Sequence, residues 1–449
     1  MSDPYTLTEA TVKAPPATFR ERLKHLGPGF ILSAAIVGSG ELIATTTLGA
    51  RAGFVTFWVI LVSCLVKVAV QIEFGRHTIL TGETAMTAFH QLPGPVFGKA
   101  RWTVWTIFTF MIVKLLQVGG IVGGVAIILN MTVPQLSVPV WAFTTAIVVA
   151  LLVFRGYYRF IERSSLIMIA FFTVFTFTAL YLLAYTPYAF HWGDLAEGMS
   201  FRLPREAVAV AFGAFGITGV GGDEIIHYNY WCLEKGYAAH CGPRTDSPEW
   251  AARAKGWIRV MYLDAVFAMV IYTLVTAAFY LLGAAVLHAQ GEHPEGYAMV
   301  ESLSMMYTEV LGPGAKPAFL LGAFVVLFST LFAALAAWTR QFSDIFGRFG
   351  WIDFYQPEQR RRTIAVLAWV IPFLWALLFV FIKLPVLMVI TGGIVGSLLL
   401  FLVVFAVYHF RFRRLDREFS PGRVYDAVLW VSILSIVTVG VYGMVQILG

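Results

Sequence analysis

The chain has 449 residues, of which 59% are hydrophobic and only 13% charged, with a formal net charge of +6. A soluble globular chain carries about twice that share of charged residues. A water-facing surface cannot be built from this composition, which excludes soluble enzymes, nucleic-acid binders and disordered scaffolds and makes the bilayer the solvent.

Residues 1–27 are polar and basic, without the short apolar core and small-residue cleavage site of a signal peptide, so they read as a cytoplasmic segment. Eleven hydrophobic spans follow, at about 28–51, 52–75, 102–130, 138–154, 160–185, 206–231, 260–287, 317–339, 364–382, 384–408 and 425–448. Each is long enough for the ~17–25 residues of a spanning helix, the fourth being the shortest. Of the 32 Lys and Arg, 25 fall before the first span or in the even-numbered loops. The opposite side holds Arg51, Arg202, Arg205, Lys316 and Lys383, while Lys67 and Lys114 lie inside spans. This asymmetry places the N-terminus in the cytoplasm and the C-terminus outside, and it explains the basic balance without nucleic acid. The polar stretches 232–256 and 288–316 suit loops of one membrane domain covering 28–449. Cys64, Cys232 and Cys241 show no metal-ligand or disulfide spacing.

Two spans are interrupted. In the first, Ala34-Ala35-Ile36-Val37 runs into Gly38-Ser39-Gly40-Glu41; in the sixth, Gly216-Ile217-Thr218 runs into Gly219-Val220-Gly221-Gly222-Asp223-Glu224. Glycine costs about 1 kcal/mol against alanine inside a helix, so these clusters predict unwound backbone at Gly38–Glu41 and Gly219–Asp223. Unwound backbone at membrane depth survives only against protein or a water-filled cavity. The breaks resemble each other, Gly40-Glu41-Leu42-Ile43 beside Asp223-Glu224-Ile225-Ile226, and stand five spans apart. An odd number of spans inverts the second copy. Interrupted helices at matching positions mark the binding site of an inverted-repeat transporter. The expected architecture is all-α, with repeats 28–185 and 206–408 and an extra helix at 425–448.

Several stretches resemble the Nramp family of divalent-metal transporters. They are Gly27-Pro28-Gly29-Phe30, Leu48-Gly49-Ala50-Arg51-Ala52-Gly53-Phe54 leading into Phe57-Trp58-Val59-Ile60-Leu61, and Gln71 with Leu80-Thr81-Gly82-Glu83. Arg155-Gly156 with Arg159-Phe160-Ile161-Glu162, and Asp264, continue the likeness. It is strongest over 27–90 and 150–270 and weak beyond about 310. The resemblance implies a LeuT-like fold with interrupted helices 1 and 6, and transport of metal. It also shows departures. Gly38-Ser39-Gly40-Glu41 stands where the family carries Asp-Pro-Gly-Asn, and Val220-Gly221-Gly222 where it carries Met-Pro-His. Gln117 and Gly120 fall on or near the family's proton-linked acids.

Loss of a thioether at Val220 removes the soft ligand, and hard cations prefer oxygen. Glu41, Asp223 and Glu224 are therefore the candidate metal ligands, for a cation such as Mg²⁺ that keeps much of its water, with backbone around Ala35 and Ile217. The plainer alternative is that these acids complement half-helix N-termini. The candidate substrate site comprises Ala35, Gly38, Ser39, Gly40, Glu41, Gln117, Ile217, Gly219, Val220, Gly221, Gly222, Asp223 and Glu224. Glycine-rich half-helix ends also suit a small polar organic or anionic solute with no metal bound.

Lys114 either reaches the site, standing in for a coupling cation or holding an acid, or snorkels to the cytoplasmic edge; Lys67 is expected to snorkel. His227 is a candidate proton relay or a packing histidine. Trp102, Trp141, Tyr185, Trp192, Trp231 and Trp257 read as interfacial belts. Thr391-Gly392-Gly393-Ile394-Val395-Gly396 reads as a close-packing segment or a cavity wall. No P-loop, catalytic set or cofactor motif is present. The expectation is a monomeric secondary transporter and not an enzyme.

Overall fold

The computed structural model describes residues 3–36, 38, 40–154 and 158–448. All eleven expected spans fall on helices. Eight helical runs among the described residues are long and apolar enough to cross a membrane, and Val138–Phe154 and Ala170–Leu183 are shorter apolar helices. The run Gly40–Thr81 holds the second half of the first expected span and the second span, Phe57–Thr81, with a turn at Gly53–Thr56 between them. The third to fifth spans are Trp102–Thr132, Val138–Phe154 and Tyr158–Leu183. The seventh to eleventh are Pro248–Leu282, Lys316–Phe349, Pro357–Ile382, Pro385–His409 and Arg423–Leu448. A two-residue antiparallel ribbon pairs Val96–Phe97 with Ala100–Arg101. Spanning helices satisfy every backbone group within the segment, which is what hydrocarbon demands.

The first span is helical over Pro28–Ile36 and resumes at Gly40 as a π-turn, Gly40–Thr45, followed by Thr46–Ala52. The sixth is helical over Val208–Ile217 and again over Gly222–Lys235. Between these halves Thr218 is extended and Gly219 has φ +66°, a left-handed conformation natural to glycine. The sixth-span break therefore covers Thr218–Gly221, earlier than the expected Gly219–Asp223. Asp223 and Glu224 sit in the first turn of the second half, where acids complement the helix N-terminus.

The start of the first span is held by the seventh. Asp264 accepts from the Gly27 N–H (2.8 Å) with Oδ1 and from the Gly29 N–H (2.5 Å) with Oδ2, and the Tyr228 hydroxyl donates to Oδ2 (3.1 Å). The Gly27-Pro28-Gly29 segment is thus an anchored helix start. Asp264→Asn removes the charge from three hydrogen bonds and is expected to cost about 1.5–3 kcal/mol, read as a lower melting temperature of the purified protein.

The first half of span six lies backbone to backbone on span ten. A Cβ on Gly216 would run into the Gly393 carbonyl and Ser397, and one on Gly393 into the Gly213 carbonyl. The glycine-rich segment of span ten is therefore a packing surface, with Gly392 closing on Gln117. Gly216→Ala is expected to destabilise by about 1–3 kcal/mol through overpacking, checked by the same melt.

The segment before span one is laced across the helix ends on its own side. The Tyr5 hydroxyl donates to Glu234 Oε1 (2.8 Å), Asp3 pairs with Arg360 (2.7 Å), and Arg360 also lies over the Tyr5 ring. The Lys13 N–H donates to the His240 carbonyl (3.0 Å), and the Trp257 indole N–H to the Lys13 carbonyl (3.1 Å).

Candidate functional site

A cavity of about 40 Å³ opens between the two breaks, room for a few water molecules. Gly40 and Ile217 line it from the breaks, Gln117 from span three, and Asp223, Glu224, His227 and Trp231 from the second half of span six. Span eight closes it with small residues, Ala333, Ala334 and Ala337, between Thr330 and Trp338. Residues 223, 227 and 231 recur every four positions, so one helix face carries Asp223, His227 and Trp231 inward.

Lys114 stands behind the cavity wall and reaches Asp223. Its Nζ lies 2.5 Å from Asp223 Oδ1, and both side chains are buried, at 0% and 4% exposure. The ammonium holds an acid and does not snorkel. Glu224 is half-buried, and its Oε2 is enclosed with no hydrogen-bond partner among the described residues. Gln117 Oε1 is likewise enclosed and unpartnered. His227 Nε2 bonds Gln341 Oε1 (2.6 Å), a pairing that fixes the imidazole. A side chain on Gly221 would collide with the Glu224 carboxylate, so that glycine makes room for the acid.

Glu41 stands apart. It is fully buried and absent from the cavity wall. Its Oε1 accepts from the Thr276 hydroxyl (3.0 Å) and the Gly219 N–H (3.4 Å), bracing the second half of span one against the sixth-span break and span seven. The three acids expected to share a metal therefore do not gather, and no group of three or more His, Cys, Asp or Glu among the described residues could hold an ion. Lys67 also departs from expectation. It is buried, and its Nζ donates to the Phe215 (2.7 Å) and Thr218 (2.6 Å) carbonyls instead of snorkelling. Two carbonyls at the sixth-span break, within hydrogen-bonding reach, satisfy the ammonium where it stands.

Of the remaining expected site residues, Gly38 forms the turn of the first break with Thr330 beside it, and Ala35 is in the helix Pro28–Ile36. Ser39 lies outside the described residues. Gly219, Val220 and Gly221 make the second break and Gly222 begins the helix after it, and none of the four lines the cavity. Gly120 faces span ten at Pro385 and Val389 and serves packing. Trp231 and Trp257 are buried, so neither belongs to an interfacial belt, whereas Tyr185 and Trp192 are exposed. Trp231, Trp338, Thr330 and Gln341 were missed by sequence reasoning; only Trp231 carried a signal, its four-residue spacing from His227.

Interrupted helices around a small cavity inside a bundle of apolar spans define a multi-pass membrane protein with the LeuT-like fold. The manganese transporter of Eremococcus coleocola has this architecture, with a TM-score of 0.56 at 15% identity, covering 98% of this chain and 99% of that one. A family profile described as "Natural resistance-associated macrophage protein-like" matches residues 29–446, and the chain belongs to that family, Nramp. An uncharacterised protein of Pasteurella multocida is 25% identical over 75% of this chain and 73% of its own length. The divalent metal cation transporter MntH of a Nostoc species is 23% identical over 95% of this chain and 92% of its own.

Proposed function

We propose that this chain is a secondary transporter working by alternating access, and that its cargo is a hard divalent cation, Mg²⁺ before Mn²⁺ or Fe²⁺, carried with part of its water. The observation that carries this is the pair of enclosed, unpartnered acceptor oxygens, Glu224 Oε2 and Gln117 Oε1, on a cavity of about 40 Å³. Buried acceptors without donors are costly, and the water ligands of a hydrated ion are donors of the right size. Three acids, Glu41, Asp223 and Glu224, stand against two lysines, Lys67 and Lys114, in the buried centre. Asp223 is held by Lys114, which leaves Glu224 as the carboxyl group on the cavity wall that no lysine holds. Among the described residues no thioether lines the cavity wall, which disfavours the softer metals. Glu224 is the first candidate ligand, Asp223 acts through its lysine, and Glu41 braces the break.

The moving parts of the cycle are the two five-span repeats, 28–185 and 206–408, with 425–448 appended. The Lys and Arg asymmetry supports a cytoplasmic N-terminus and an external C-terminus. A second cargo, a small polar organic or anionic solute with no metal, is favoured by one observation: the Lys114 ammonium beside glycine-rich half-helix ends. Purified protein in liposomes, offered Mg²⁺, Mn²⁺, Ca²⁺ and a panel of solutes, tests both. Mg²⁺ flux is the expected result. Solute flux without cation flux overturns the cargo, and no flux from folded protein overturns transport.

Proton coupling is expected to be absent. Gln117 and Gly120 cannot carry protons, Asp223 is held by Lys114, and His227 by Gln341. A pH-sensitive dye inside the liposomes should stay constant during uptake; cargo-dependent acidification contradicts this.

A further inference from the structure

The first half of span six, Val208–Ile217, ends in the middle of the molecule, and the carbonyls of its last turn have no following helix to pair with. Half-helix C-terminal ends of this kind are where transporters bind coupling cations, through unwound carbonyls. Here the position is filled from within the chain. Lys67 Nζ donates to the Phe215 carbonyl at 2.7 Å and the Thr218 carbonyl at 2.6 Å, and stands 5.1 Å from the centre of the Phe215 ring. The Ser63 hydroxyl, one turn earlier on span two, is 3.0 and 2.9 Å from the same two oxygens. Among the described residues no carboxylate is within ion-pairing distance of Lys67, and its side chain is fully buried. Two carbonyls, a hydroxyl and an aromatic face are the surroundings of a small monovalent cation. A helix C-terminus adds its negative pole.

We infer that Lys67 is a tethered cation occupying what would otherwise be a Na⁺ or K⁺ site at the sixth-span break, making it a positioning residue that holds the break without a dissolved coupling ion. This goes beyond the cargo reading and needs only the fold to be right. The neighbouring contacts agree. Thr218 Oγ1 meets Thr45 Oγ1 at 3.3 Å, and the Gly219 N–H points to Glu41. Lys67 therefore anchors one end of a short polar bridge whose other end is the second half of span one.

The test uses full-length protein in detergent, melted in NaCl, KCl and choline chloride of equal ionic strength. Wild type should melt at one temperature in all three. Lys67→Met keeps the stem, leaves no space for an ion, and should melt lower by the same amount in each salt. Lys67→Ala opens the space, and should melt low in choline and recover in Na⁺ or K⁺. Recovery is the readout that a purely structural lysine does not produce. Wild type stabilised by Na⁺ or K⁺ over choline, Lys67→Met melting like wild type, or Lys67→Ala without recovery each overturns the assignment. Should both variants fail to fold, the wild-type comparison decides: insensitivity supports the tethered cation and sensitivity refutes it. None of these melts contains the transported cargo, so failure here and failure of the cargo reading are separate results.

Discussion

Lys114→Met is expected to cost the folded protein about 3–5 kcal/mol, because it strands the Asp223 carboxylate in a buried site. The ammonium lies 2.5 Å from Asp223 Oδ1 and no part of it is exposed. Methionine replaces most of the stem, so the loss is electrostatic and not a cavity effect. Asp223→Asn should be damaging for the converse reason. The double variant removes both charges and is expected to recover much of the loss, since neutral isosteres of a buried pair are often tolerated. A double-mutant cycle of melts or denaturant titrations measures the coupling. Additive losses in the double variant would refute a direct pair. Transport should remain poor even in the stable double variant, because the cavity then lacks a charge pair at its rim.

Glu224→Gln is expected to abolish cargo binding while leaving the fold nearly intact. The exchange is isosteric and keeps an acceptor, but it removes the carboxyl group on the cavity wall that no lysine holds. A ligand at a hundredfold excess over Kd stabilises the native state by about 2.7 kcal/mol. Wild type should show such a gain with millimolar Mg²⁺, and Glu224→Gln should show none. Glu41→Gln is the informative partner. Glu41 lies off the cavity wall, so this variant should be less stable yet keep its Mg²⁺ response. A Mg²⁺ shift that survives Glu224→Gln and vanishes in Glu41→Gln would reverse the two roles assigned here.

The spans and the breaks were readable because their signals are local. Apolar runs give length, and glycine clusters beside acids give discontinuity. Both hold wherever the rest of the chain goes. The partners of Lys114 and Lys67 were not readable, since each lies far away in sequence: 109 residues separate Lys114 from Asp223, and 148 separate Lys67 from Phe215. A buried lysine announces that it needs a partner without naming one. Glu41 shows the same limit. Its place beside glycines matched Asp223 and Glu224 in pattern, but the π-turn at Gly40–Thr45 directs it toward Thr276. Trp231 illustrates the opposite error: its place at the end of a span suggests the interface, whereas its helical phase with His227 turns it inward.

The lacing of the N-terminal segment has a consequence for biosynthesis. Asp3 finds Arg360 357 residues later in the chain, and at ~5–20 residues per second the ribosome needs roughly 20–70 s to supply it. Tyr5 likewise waits for Glu234. The segment before span one is therefore made well before the partners that dock it, and it seals helix ends that insert one after another. Bulk inserted into this segment would obstruct that late docking even where every span had already entered the bilayer.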